Sequence, residues 1–236
     1  MYFFSCLSLL LVICSCESYP SFDLQELLDK AFLTSDSDFI YELKKAEIIP
    51  TVVDTFVPSL TVKISWENAT AKLGNTVKPN AVQEMPIVEF VDSVPGLSTH
   101  ELDPATKSMQ YTIALTDPDA PSRDDPEWSE ICHWIATGIT VSSSSVVASE
   151  EIRTQDLKEV MPYKPPGPPP KTGKHRYVFL ALAPANGTTE TLHLSKPGDR
   201  QHWGYSKERQ GVRMWAESNG LVVVGANFIY SQNDQQ

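Results

Sequence analysis

The chain has 236 residues, 41% of them hydrophobic, which suits one globular domain with a real core, since single domains commonly hold roughly 100–250 residues. The formal net charge is −11. That balance repels phosphate backbones at long range and argues against nucleic acid as a partner. A local pocket for one small anion stays open, because a short contact outweighs a screened net charge.

Residues Met1 to Cys16 carry no charged side chain, and Leu7 with Leu9 to Ile13 forms an apolar run. The run is too short for a bilayer, which needs about 20 residues. It reads as a signal peptide over residues 1–18, cleaved before Glu17 or Tyr19. A short membrane anchor or a buried N-terminal helix is the alternative. The expected mature chain, 19–236, has no transmembrane segment and one domain, with a helical N-terminal extension over about 21–49. Two glycosylation sequons, at Asn68 and Asn186, fit an exported protein. Cleavage removes Cys6, Cys14 and Cys16 and leaves Cys132, so no internal disulfide is expected. Between Ile131 and His133, Cys132 reads as a small buried hydrophobe rather than a nucleophile.

Leu24, Leu27, Leu28, Ala31 and Phe32 fall at helical spacing, and Phe39, Ile40 and Leu43 predict a second short helix that stops before Pro50. The period then changes. Leu60, Val62, Ile64 and Trp66 alternate with polar residues, as in a half-buried strand. Ile87 to Phe90 predicts another strand, and Tyr111, Ile113 and Leu115 alternate again. Trp134 to Ile139 and Tyr177 to Leu182 are short apolar runs, expected as buried strands. Pro162 to Gly173 holds six prolines and is expected as a rigid loop inside the domain. A late helix is expected from about Ser206 to Asn219, with Gly220 at C′. Leu221 to Gly225 then reads as a last strand. The organisation is mainly β.

Two segments gather polar residues at strand ends. The first is Asp117-Pro118-Asp119-Ala120-Pro121-Ser122-Arg123, followed by His133. The second is Gly167-Pro168-Pro169-Pro170-Lys171-Thr172-Gly173-Lys174-His175-Arg176-Tyr177. Their chemistry predicts an anion pocket. Protonated His133 and His175 donate through both ring nitrogens, and Asp117 or Asp119 would orient an imidazole. Gly167 and Gly173 let main-chain amides approach a ligand, and Tyr177 adds a hydroxyl. Each residue also has a plainer reading: Asp117 closing a strand, the histidines satisfied in the core, Arg176 pairing a buried carboxylate such as Asp119. Ser122, His133 and Asp117 invite a hydrolase triad, but no Gly-x-Ser-x-Gly elbow is present. The spacing of Asp117, Asp119, His133 and His175 matches no standard metal site. No metal, cofactor or catalytic residue is expected.

Together the two segments resemble the two signature regions of the phosphatidylethanolamine-binding protein family, in order and in internal spacing. The likeness runs from about Leu60 to Phe228. His202-Trp203-Gly204-Tyr205, Gly211-Val212-Arg213, Trp215-Ala216 and Gly220 to Phe228 resemble its fungal branch, which includes vacuolar carboxypeptidase Y inhibitors. The resemblance implies a large antiparallel sheet packed on a smaller one, with peripheral helices near both termini. It implies a pocket for a phosphate-like anion or phospholipid headgroup lined by Asp117, His133, Gly167, His175 and Tyr177, with Asp119, Pro168 and Pro169 beside it. It implies a binding module and not an enzyme, with inhibition of a serine carboxypeptidase as the alternative; the leader makes the expected location secreted, extracellular or vacuolar. Cys132, Ile131 and Lys171 depart from the residues usual in the family.

Overall fold

The structure, a computed structural model, describes residues 37–92, 108–142 and 157–235. The expected leader and the helix expected at 24–32 lie outside the described residues.

The first sheet grows from the alternation around residue 60. Strand β1 (Leu60–Trp66) buries Leu60, Val62, Ile64 and Trp66 and exposes Thr61 and Lys63. It pairs with β4 (Ile87–Asp92) antiparallel, Val62 opposite Phe90. Two-residue strands β2 (Ala69–Thr70) and β7 (Val141–Ser142) complete the order β2-β1-β4-β7. The second sheet has six strands in the order β3-β10-β9-β5-β6-β8. They are β3 (Asn75–Thr76), β5 (Tyr111–Asp117), β6 (Ile131–Ile139), β8 (Lys158–Met161), β9 (Lys174–Pro184) and β10 (Leu221–Gln232). The two neighbours of β9 in the large sheet are β10 and β5, both antiparallel. Among the described residues only the short edge pairings, β3 with β10 and β4 with β7, run parallel.

The large sheet is covered on both faces. Tyr177, Phe179 and Ala181 of β9 meet β1, β4 and Trp134 in the core between the sheets. Val178, Leu180 and Leu182 point the other way, onto a third layer with Leu43, Ile48, Val52, Trp203, Val212 and Trp215. That layer is made of helix α1 over residues 37–45, the turns that follow it, a 3-10 turn at His202–Gly204, and helix α2 (Gly211–Ser218). Double coverage explains why β9 reads as a continuous apolar run. It also corrects the reading of β5: all seven residues are buried, Thr112 and Thr116 included, because β5 lies between β9 and β6 with a layer on either side.

The late helix is shorter than the sequence suggests. Ser206 and Arg209 have φ of +55°, left-handed values that no α-helix accommodates, so the helix begins at Gly211. Gly220, with φ of +64°, ends it at C′ as expected. Its last strand extends to Gln232, pairing with β9 along nearly its whole length. Cys132 is buried and free, and burial pushes its thiol up.

Candidate functional site

Both signature segments reach one end of the large sheet because β5 and β9 are adjacent antiparallel strands. Asp117 is the last residue of β5, and His175 to Tyr177 open β9. His133 enters from β6, the other neighbour of β5. Three separate stretches of sequence therefore meet at one point.

Asp117 is almost fully buried and fully engaged. Its Oδ1 accepts from the Asp119 N–H at 2.8 Å, and its Oδ2 accepts from His175 Nδ1 at 2.9 Å. His175 Nε2 lies 2.8 Å from Thr172 Oγ1, and that hydroxyl donates to the Pro169 carbonyl at 2.8 Å. Both ring nitrogens of His175 are thus engaged inside the site, Nδ1 with the carboxylate and Nε2 with the hydroxyl. Tyr177 stands between the histidines. Its ring stacks on His175 at 6.3 Å and meets His133 edge-on at 5.2 Å. Burial, then the charge of Asp117, raises its phenol far above the usual range, and the Gly167 main chain opposes this with a hydrogen bond. His133 and His175 thus flank one aromatic ring.

The two histidines are not equivalent. His133 Nδ1 lies 2.8 Å from the Lys164 carbonyl, which only accepts, so Nδ1 carries the proton. Burial holds the ring down at about 4, with Asp117 pulling the other way. Near neutral pH the ring is uncharged and Nε2 is its acceptor nitrogen. The expectation that both histidines donate through both nitrogens therefore fails for neutral His133.

Asp119 is part of the wall. It is fully buried, its Oδ2 accepts from the main chain and Nε of Arg176 at 2.8 Å each, and its Oδ1 accepts from Arg176 Nη2. The same guanidinium donates from Nη1 to the Ala46 and Glu47 carbonyls, fastening the turn after α1 to the site. Pro168 is buried with its carbonyl held by Asn233 Nδ2, and the Pro166 carbonyl is held by Gln83, so the proline-rich loop is pinned at two points. Gly167 and Pro169 are exposed. Two contributors escaped sequence reasoning. Thr172, one turn before His175, carries a weak local signal. Arg200 carries none: its Nη1 donates to the Cys132 and His133 carbonyls and its Nη2 to Pro162, locking β6 to the proline loop.

The triad reading finds no support. Ser122 Oγ accepts from the Asp125 N–H, and Asp117 serves His175, not His133. Among the described residues no group of three potential ligands could hold a metal. Four clefts of about 400 to 580 Å³ open elsewhere, and none is lined by Asp117, His133 or His175. Chemistry, not volume, marks this site. Asn68 and Asn186 are both exposed, and no described helix is long and apolar enough to cross a membrane.

Known proteins share this architecture. The family model described as phosphatidylethanolamine-binding protein matches residues 63–229. The carboxypeptidase Y inhibitor of Saccharomyces cerevisiae is 33% identical over 207 residues, 80% of this chain and 92% of that protein. A crystal structure of carboxypeptidase Y inhibitor complexed with the cognate proteinase superposes with a TM-score of 0.69 at 29% identity, covering 84% of this chain and 97% of the other. A phosphatidylethanolamine-binding protein from Plasmodium vivax has the same fold, with a TM-score of 0.59 at 20% identity over 83% of this chain and 97% of its own. Two sheets in this order, both signature segments at one sheet end and a family match across the whole β core make this chain a member of the phosphatidylethanolamine-binding protein family.

Proposed function

We infer that this chain is a secreted, non-enzymatic inhibitor of a serine carboxypeptidase of the carboxypeptidase Y type. The observation that carries this reading is the 33% identity to the yeast inhibitor across 92% of that protein's length. Likeness to the inhibitor in its proteinase complex supports it. Secretion, to an extracellular or vacuolar destination, rests on the apolar leader and the exposed asparagines at 68 and 186. The test is titration of a carboxypeptidase Y-type enzyme with the secreted protein. Loss of activity at near-equal amounts is expected, and full activity at excess inhibitor overturns the reading. Mass spectrometry of the same preparation identifies the mature N-terminus and any glycan on Asn68 or Asn186.

A second reading comes from the site itself. The polar cluster of Asp117, His133, His175 and Tyr177, with Gly167, Pro168 and Pro169 at its edge, favours a pocket for one phosphate-like anion or phospholipid headgroup. The Asp117 carboxyl bonded to His175 disfavours a dianion. A singly charged oxyanion that keeps a hydroxyl fits better, that hydroxyl donating to His133 Nε2. Calorimetry with inorganic phosphate and phosphorylethanolamine, on the wild type and on His133→Ala and His175→Ala, tests it. Binding that is undiminished in both variants removes the pocket.

A further inference from the structure

Glu130 lies one layer behind the site and takes no part in it. Its side chain is fully buried. Oε2 accepts from Thr116 Oγ1 at 2.9 Å and from the Val212 N–H at 3.4 Å. Thr116 immediately precedes Asp117 on β5, and Val212 is in the first turn of α2. Trp203 Nε1 donates to the same Thr116 hydroxyl at 3.1 Å. One carboxyl thus joins the strand that presents Asp117 to the segment that carries Trp203 and α2.

The joint is incompletely satisfied. Glu130 Oε1, the adjacent Ser129 Oγ and Arg209 Nε are buried and have no hydrogen-bond partner among the described residues. They belong to one neighbourhood, since the Arg209 N–H donates to the Ser129 carbonyl, as does His202 Nδ1. Among the described residues no cation is bonded to the carboxyl. Arg213 on α2 and Arg176 on β9 act on it only through space, and they are committed to Asp54 and Asp119. Cys132 of β6 is a thiol held neutral by burial. A buried carboxylate lacking a bonded cation and with one bare oxygen is costly, whereas the neutral acid costs far less.

We propose that the Glu130 carboxyl is a proton-operated latch between the site strand and the 199–212 segment, closed when protonated and weakened when ionised. Burial raises its titration from the ordinary 4.5 to about 7, with hydrogen bonds from Thr116 and Val212 pulling the other way. A raised folded-state value means that the closed form holds the proton where the open form has lost it. Closure therefore weakens as pH rises from the lower value to the upper, and is constant above. Arg200 rides on the same segment and holds the His133 carbonyl, so the latch transmits pH to the rim of the site.

The test is hydrogen exchange of peptides covering 199–215 in the full chain, corrected for the chemical exchange rate. In the wild type the opening constant should rise by up to about tenfold per pH unit from about pH 5 to pH 7 and level off above. Glu130→Gln should show no such rise, and His202→Gln should keep it. A wild type without the rise, a Glu130→Gln protein that retains it, or its loss in His202→Gln overturns the proposal. Infrared spectroscopy of the wild type gives a check that needs no variant. A protonated carboxyl band should persist at about pH 5.5 and vanish by about pH 8.5. A carboxyl spectrum unchanged over that interval also overturns the latch.

Discussion

His175 and Asp117, 58 positions apart in sequence, share a hydrogen bond of 2.9 Å in which neither side chain reaches solvent. Asp117 closes β5 and His175 opens β9, so the bond ties the two signature segments at the point where their strands part. Removing the imidazole would leave a buried carboxylate with one contact fewer. We expect His175→Ala to cost about 3–5 kcal/mol, as for breaking other buried pairs, and to abolish phosphate binding. Urea unfolding together with calorimetry checks both. A variant of wild-type stability would mean that solvent enters and satisfies Asp117.

Anion affinity should depend on acid. Neutral His133 offers an acceptor at Nε2, so a ligand must bring a proton or the ring must take one up, and burial makes uptake by the ring difficult above about pH 4. Phosphate titrations at about pH 7.5 and pH 5.5 should therefore give tighter binding at the lower value, the gain following the monoanion share of the ligand and levelling off once that form predominates. His133→Gln, whose amide can donate, should flatten the profile. Equal affinity at both values would show that His133 does not meet the anion.

Two buried groups pull the stability of the fold in opposite directions with pH. The folded-state value of His133 lies at about 4 against 6.5, so folding excludes a proton and stability rises with pH across that interval. The value of Glu130 lies at about 7 against 4.5, so folding retains a proton and stability falls with pH. Each contribution amounts to about 3 kcal/mol over its window, and the windows overlap almost entirely. Between about pH 4.5 and 6.5 they should cancel. Glu130→Gln should unmask a rising profile, and His133→Asn a falling one, in unfolding free energies measured by urea. Parallel profiles for the two variants would refute the opposition.

The sequence shows how far local pattern reaches. Strand β1 was legible to the residue because Leu60 to Trp66 has one wet face, and a period of two is then written in the residue types. The burial of Thr112 and Thr116 was not, since a threonine on a doubly covered strand looks like one facing water until its neighbours are known. The residues that meet at the sheet end were legible through the two signature segments. Their division of labour was not. That Asp117 serves His175 while Asp119 serves Arg176 depends on the register of β5 against β9, and the tautomer of His133 depends on a carbonyl of the proline loop. Arg200 and Glu130 had no local signal, because what they join is remote in sequence. The two-residue edge strands β2, β3 and β7 are too short to show any period.

Gly211 separates packing from propensity. It is the first residue of α2, where alanine ordinarily improves a helix by up to about 1 kcal/mol. Here a Cβ would overlap the indole of Trp203. That ring cannot withdraw, because it is fully buried, its Nε1 is held by Thr116, and it packs on Trp215 at 5.5 Å. Overpacking should win, and Gly211→Ala should lose about 1–3 kcal/mol. Gly220 makes the comparison: a Cβ there meets nothing, and only its φ of +64° resists, at a cost of about 1 kcal/mol. Urea unfolding of both variants decides between the effects. If Gly211→Ala proves the more stable of the two, the contact of Trp203 with the start of α2 is not what fixes the third layer.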